Sequence, residues 1–240
     1  MTYKFDFTSV LAQWPLFVHG AWLTIKLSVA ATLLGLVIGT LCAIGRGSHN
    51  RFVARACTIY VEAIRNTPLL VQIFLVYFGL ASVGLKVPAF VAAVLAMVIN
   101  IGAYTTEIMR AGIESIHRSQ IEAAECLALS RVQVYWHVIL RPAMERVYPA
   151  LTSQFVLLML ATSITSQIST EELTAIANRV QSDTFRSFET YAVVAVFYLL
   201  LSLLMRGAFW AAGQALFTRR RKLGTSLWAA PSTPITSGSS

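Results

Sequence analysis

Charge is scarce in this chain. Only 12% of its residues are Asp, Glu, Lys or Arg, about half of what a soluble domain carries. Acidic groups are scarcer still, 11 against 19 Lys and Arg. Three cysteines, Cys42, Cys57 and Cys126, stand apart with no CxxC spacing, and four histidines form no HExxH pattern. Neither a structural zinc site nor a disulfide framework is expected, and no metal is assigned to the chain. No GxxxxGK[ST] phosphate loop occurs, so the chain brings no nucleotide-binding engine of its own. No basic stretch followed at once by a short apolar core opens the chain, so the first span is expected to serve as its own insertion signal.

What is abundant is apolar surface: 56% hydrophobic residues and a mean hydropathy of +0.65. The fold class read from this is an all-α membrane protein. A spanning helix needs about 20 mostly apolar residues, and five stretches qualify: 20–44, 52–80, 88–109, 147–168 and 191–217. Pro68 is expected to bend the second. A polar loop is expected over 169–188. The domain reading is an outer interfacial segment (1–19), a permease domain (20–217) with a charged loop at about 110–146, and a basic stop with a disordered Ser/Thr/Pro/Gly tail (218–240). The net charge of +8 falls in short clusters between spans, which suits anionic membrane lipid and topology rather than nucleic acid. With the N-terminus outside, the inner segments collect Arg46, Arg51, Arg55, Arg110, Arg118, Arg131, Arg141, Arg146 and the Arg219–Lys222 run. The outer ones hold Lys4, Lys86, Arg179 and Arg186. The charged loop and the C-terminus are therefore expected in the cytoplasm.

That loop predicts two short helices. From Ser115 to Leu129, Ile116, Ile121, Ala124, Leu127 and Ala128 share one side, with Glu114, Glu122 and Glu125 elsewhere. Ser130 is placed to cap a second helix, 131–139, expected to stop before Pro142. The EAA at Glu122, Ala123 and Ala124, the small Ala128 and ILRPA at 139–143 resemble the EAA loop of ATP-binding-cassette importer permeases. YVEAIRNTPLLVQIFLVYFGL (60–80), AYTTEIMRAGIESI (103–116), ATSITSQISTEEL (161–173) and GAWLTIKLS in the first span resemble the matching runs of polar amino-acid importer permeases, in order and with spacing intact.

The resemblance implies a type I importer-like permease at the bacterial inner membrane, non-catalytic itself. A coupling helix with Glu122, Ala123, Ala124, Leu127, Ala128 and Ser130 would dock on a separate ATPase, which holds the ATP and magnesium. A periplasmic binding protein would deliver an amino acid, and a second permease subunit, identical or homologous, would complete the path. The apolar side of the 121–129 helix, Ala124 included, is expected to pack on the ATPase. The family's usual glycine is Ala128 here, so a left-handed backbone there is not expected. Its LPQA reads LRPA.

The fourth predicted span carries the polar candidates. At 100° per residue Thr152, Thr162, Ser163, Ser166, Gln167 and Thr170 share a side, as helix–helix glue or as a wall of the substrate path. Thr162, Ser163, Ser166 and Gln167 are assigned to the path. Leu160 and Ala161 replace the Lys-Asp often found in the family, so a self-sufficient site for lysine or arginine is not expected. Intramembrane charges default to functional candidates: Glu62 with Arg65 and Glu107 with Arg110 are each spaced to pair along a helix. Arg65 is the candidate partner for a substrate carboxylate, with Thr67 and Gln72 beside it in the chain. Competing readings are a permease of the same build for another small polar solute, a proton-driven transporter or membrane enzyme, which would want acidic or histidine clusters deep in the spans, and a scaffold subunit, whose loop would tolerate change.

Overall fold

The computed structural model describes residues 4–217; the predicted tail, 218–240, lies outside them. The described residues fold into helices α1 (Thr8–Leu11), α2 (Trp14–Arg46), α3 (Arg51–Arg65), α4 (Leu69–Ser82), α5 (Ala89–Glu114), α6 (Arg118–Cys126), α7 (Arg131–Gln133), α8 (Arg141–Ala161), α9 (Leu173–Thr184) and α10 (Ser187–Leu216). A π-helical segment, Val134–Leu140, joins α7 to α8, and a 3₁₀ segment, Thr162–Ile168, extends α8. Four of these rods are long and apolar enough to cross a membrane: α2, α5, Arg131–Ile168 and α10. The pair α3 and α4, bent by 110°, is apolar and long enough only when taken together, as a broken fifth span or a re-entrant loop.

The centre is the crossing of α2 with α5. It is close because glycines face it: a methyl group on Gly39 would fall 2.5 Å from Thr105 Cβ and 2.7 Å from the Gly102 carbonyl oxygen. Backbones meet where side chains vanish, the usual way apolar helices gain packing in lipid. Leu27, Ala31, Ala93, Met97 and Ile101 fill the main core, which α8 completes with Leu151 and Phe155. A second core joins α1 and the start of α2 to α9 and α10 through Val10, Phe17, Leu173, Ile176 and Val194.

Four expectations are revised here. The stretch read as a polar loop, 169–188, contains α9: Leu173, Ile176, Ala177 and Val180 recur at helical spacing and are buried, a signal masked by the polar residues between them. The second loop helix does not stop at Pro142. Proline lacks the N–H for the i−4 bond, but the preceding turn widens so that the Arg141 N–H bonds the Trp136 carbonyl, and the helix runs on. The fourth span ends in a 3₁₀ segment, so the 100° face does not hold: Thr162, Thr165 and Thr170 turn inward, and Thr152 donates back to the Tyr148 carbonyl. The first span begins at Trp14, before the expected residue 20, with Pro15 suited to its first turn.

Candidate coupling surface and clefts

α6 is held from both ends of the charged segment. Arg146 of α8 donates to the carbonyl and hydroxyl of Ser115, and Gly112 of α5 lies so near α8 that a methyl group there would meet Val147 at 2.5 Å. The His117 side chain accepts from the Ser119 N–H at the start of α6. The helix packs on the π-helical segment, and its one buried residue is Ala124, at 5% exposure. Ala124 therefore faces its own chain, which corrects the expectation that it meets the ATPase. Glu122 and Ala123 are exposed; Glu122 accepts from Arg118 at 3.0 Å. The apolar surface left outside is Leu127 (76% exposed), Val132 (78%) and Trp136 (62%).

Ala128 corrects another expectation. Its φ is +56°, and the Leu129 N–H bonds back to the Ala124 carbonyl, closing α6 with a left-handed cap of the Schellman kind. The six-to-one hydrogen bond demands that conformation whatever the side chain. Ser130 caps as expected, in a reciprocal box with Gln133.

The break between α3 and α4 has its own repair. Pro68 supplies no N–H, and the turn frees carbonyls that lipid cannot satisfy. Gln72, buried, donates from Nε2 to Ile64 O (2.8 Å), Thr67 O (3.0 Å) and Thr67 Oγ1 (2.9 Å), and Asn100 Nδ2 donates to its Oε1 at 2.9 Å. Gln72 thus knits the break and is turned away from open space. Thr67 keeps an exposed side and, with Asn100, Tyr104, Gln154 and Ala161, lines a first cleft.

Arg65, last residue of α3, does not pair with Glu62, which accepts instead from Asn66. Its guanidinium stands 3.9 Å from Glu107 and 5.8 Å from the centre of the Tyr104 ring. Glu107 pairs with Arg110 as the spacing predicts, and with Arg46 of α2 at 2.6 Å. Sequence spacing found the local pair and missed the cross-helix ones.

A second cleft is lined by Ser163, Ser166 and Gln167, joined by Leu70, Thr174, Asn178 and Tyr191. Thr162 is not among them; it is buried and donates to Met159 O. Behind this cleft Glu172 caps α9, accepting from the Thr174 and Ala175 N–H groups at 2.9 Å and the Tyr198 hydroxyl at 2.7 Å. Burial raises its carboxyl above the usual range, and these donors pull it back. The sequence reading missed Asn100, Tyr104, Gln154, Thr174 and Asn178. Asn100, a lone amide within an apolar run, was the available signal.

Proteins similar to this chain in sequence and architecture point to one family. Residues 35–215 match the family described as binding-protein-dependent transport system inner membrane component. The glutamine transport system permease protein GlnP of Escherichia coli is 36% identical over 204 residues, 84% of this chain and 93% of that one. The nopaline transport system permease protein NocM of Agrobacterium fabrum is 33% identical over 208 residues, 82% and 86%. A crystal structure of an amino acid ABC transporter with histidines superposes with a TM-score of 0.81 at 35% identity, covering 89% of this chain and 100% of that one. The inward-facing MetNI methionine ABC transporter shares the fold at 18% identity, with a TM-score of 0.71 over 85% of this chain and 98% of that one. The chain belongs to the inner-membrane components of binding-protein-dependent transport systems and is a multi-pass permease subunit of an ABC importer.

Proposed function

We propose that this permease carries a neutral, polar amino acid. The observation that carries the reading is the lining of the two clefts. Hydroxyl and amide side chains face both, Thr67, Asn100 and Gln154 in one and Ser163, Ser166, Gln167 and Asn178 in the other, and no carboxylate lines either among the described residues. Such groups match an amide or hydroxyl side chain and give a cationic one no counter-ion. Ala161, where the family often has an acid, forms part of the first wall. Relatives named for glutamine and nopaline transport support an amino-acid cargo.

Family membership implies an ATPase and a substrate-binding protein as partners. In the proposed cycle the ATPase holds ATP and magnesium and this chain binds no cofactor. ATP-driven closure of the ATPase moves α6, with Leu127, Ala128 and Ser130 at its end and Glu122 and Ala123 on its exposed face, while Ala124 fixes α6 to the π-helical segment behind it. Thr67, Ser163, Ser166 and Gln167 contact the passing substrate. Thr162 and Gln72 shape the walls from behind, and Arg65 receives the substrate carboxylate. A second permease subunit covers the apolar faces left open, such as Leu75 and Phe78 of α4 and Leu157 of α8, and α10, mostly exposed, meets lipid.

The test is ATP-dependent uptake in proteoliposomes holding this chain, its ATPase and its binding protein. L-glutamine or a similar neutral amino acid is expected to be carried. High-affinity arginine uptake by a homodimer of this subunit overturns the reading.

A further inference from the structure

The ion cluster at the cytoplasmic end of α5, as the charge asymmetry orients it, is lopsided. Glu107 has three guanidiniums around one carboxylate. Arg46 donates to its Oε2 at 2.6 Å, and Arg110 holds Oε1 through two nitrogens. Arg65 stands 3.9 Å from Oε2, too far for a hydrogen bond. Arg110 spends its other arm on Glu114. Three cations against two carboxylates leave Arg65 as the surplus charge and the most loosely held. Its side chain is 40% exposed and lies over Tyr104, a wall of the first cleft together with Thr67. It is also the last residue of α3, directly before the break.

We propose that Glu107, braced by Arg46 and Arg110, is a positioning residue for substrate: it parks Arg65 while the cleft is empty, and an amino acid's carboxylate takes Arg65 from it, releasing the end of α3 from α5. This deepens the amino-acid reading above and rests on it. The exchange is electrostatically even-handed, since one carboxylate replaces another beside the same guanidinium. A bidentate ligand carboxylate offers Arg65 two short bonds, which a contact at 3.9 Å does not. Arg46 and Arg110 stay on Glu107, so no bare charge is left half-buried when Arg65 departs. With a single arginine beside it, Glu107 would be stranded by the same step. A ligand lacking a carboxylate cannot trigger the release.

Hydrogen exchange by mass spectrometry on the solubilised complex of this permease with its ATPase tests this, reading residues 62–68 at the α3 end and 98–104 beside the cleft. In wild type, L-glutamine raises exchange at 62–68 several-fold and L-glutaminamide does not. E107Q raises it equally without ligand and adds nothing with L-glutamine, whereas E107D stays near wild type. R65Q, which leaves the other pairs of Glu107 in place, also starts high and responds to neither compound. If the E107Q and R65Q baselines equal wild type, Glu107 holds nothing and the proposal is overturned. If L-glutamine protects 98–104 but leaves 62–68 unchanged, the release is overturned while the amino-acid reading stands. If it alters neither, both fall together.

Discussion

Gln72 donates to the carbonyl of Ile64, eight residues earlier, at 2.8 Å, and so bridges a helix break with one side chain. Replacing it with Leu strands the Thr67 carbonyl and the Asn100 amide, and leaves the Ile64 carbonyl only its longer hydrogen bonds from Thr67. A buried polar group left without a partner costs about 1–3 kcal/mol. Gln72→Leu is expected to lose about 3 kcal/mol, seen as a lower thermal midpoint in detergent. Gln72→Glu should do no better, because a carboxylate can answer Asn100 but cannot donate. An unchanged midpoint for Gln72→Leu would mean that water or lipid headgroups already serve those carbonyls.

Ala128 carries a backbone conformation that suits glycine. The left-handed region costs an L-residue roughly 1–2 kcal/mol, part of which glycine returns as chain entropy. Ala128→Gly is expected to stabilise the α6 cap by about 0.5–1 kcal/mol, measured as slower amide exchange at Leu129. Faster exchange there would contradict the cap geometry.

The exposed and buried sides of α6 predict different failures. Leu127→Asp should release the ATPase from a permease that still purifies intact, since Leu127 is 76% exposed. Ala124→Arg should first damage the permease, because Ala124 is buried against its own chain. Co-purification with a tagged ATPase, alongside the permease's own thermal midpoint, separates the two. An Ala124→Arg chain as stable as wild type would put that side chain on the outside.

Cys42 of α2 and Cys57 of α3 are close neighbours. They are brought together because Gly45 leaves room: a methyl group there would lie 3.0 Å from Cys57 Sγ. Copper-phenanthroline, which removes two electrons and two protons from a close thiol pair, is expected to join them within one chain. Cys126→Ser should leave that bond intact, and Cys42→Ser or Cys57→Ser should abolish it. A link that needs Cys126 would refute the α2–α3 packing.

Much of the architecture is legible in the residues because lipid allows few solutions. Apolar runs of spanning length marked the main crossings, and Pro68 marked the break. What stayed hidden depends on contacts between distant segments. Arg46 and Arg65 reach Glu107 across helices, where spacing along one helix suggested only Arg110 and, for Arg65, Glu62. Thr162 and Ser163 are adjacent in sequence, yet the tighter 3₁₀ winding turns one inward and leaves the other at a cleft. Ala124 sits in the motif that signalled docking, yet this last residue of the EAA run is buried against its own chain. In each case the one-dimensional pattern carried the residue's importance and left its partner open.

The stretch Arg131–Ile168 is one helical rod of 38 residues, roughly 57 Å at 1.5 Å per residue and nearly twice the thickness of a bilayer's hydrocarbon core. Its first turns carry the knob's exposed Val132 and Trp136, and its last turn carries Ser163, Ser166 and Gln167. It is therefore a lever with the two ends of the molecule on it. A tilt of about 5° about one end sweeps the other through roughly 5 Å, about the size of the solute.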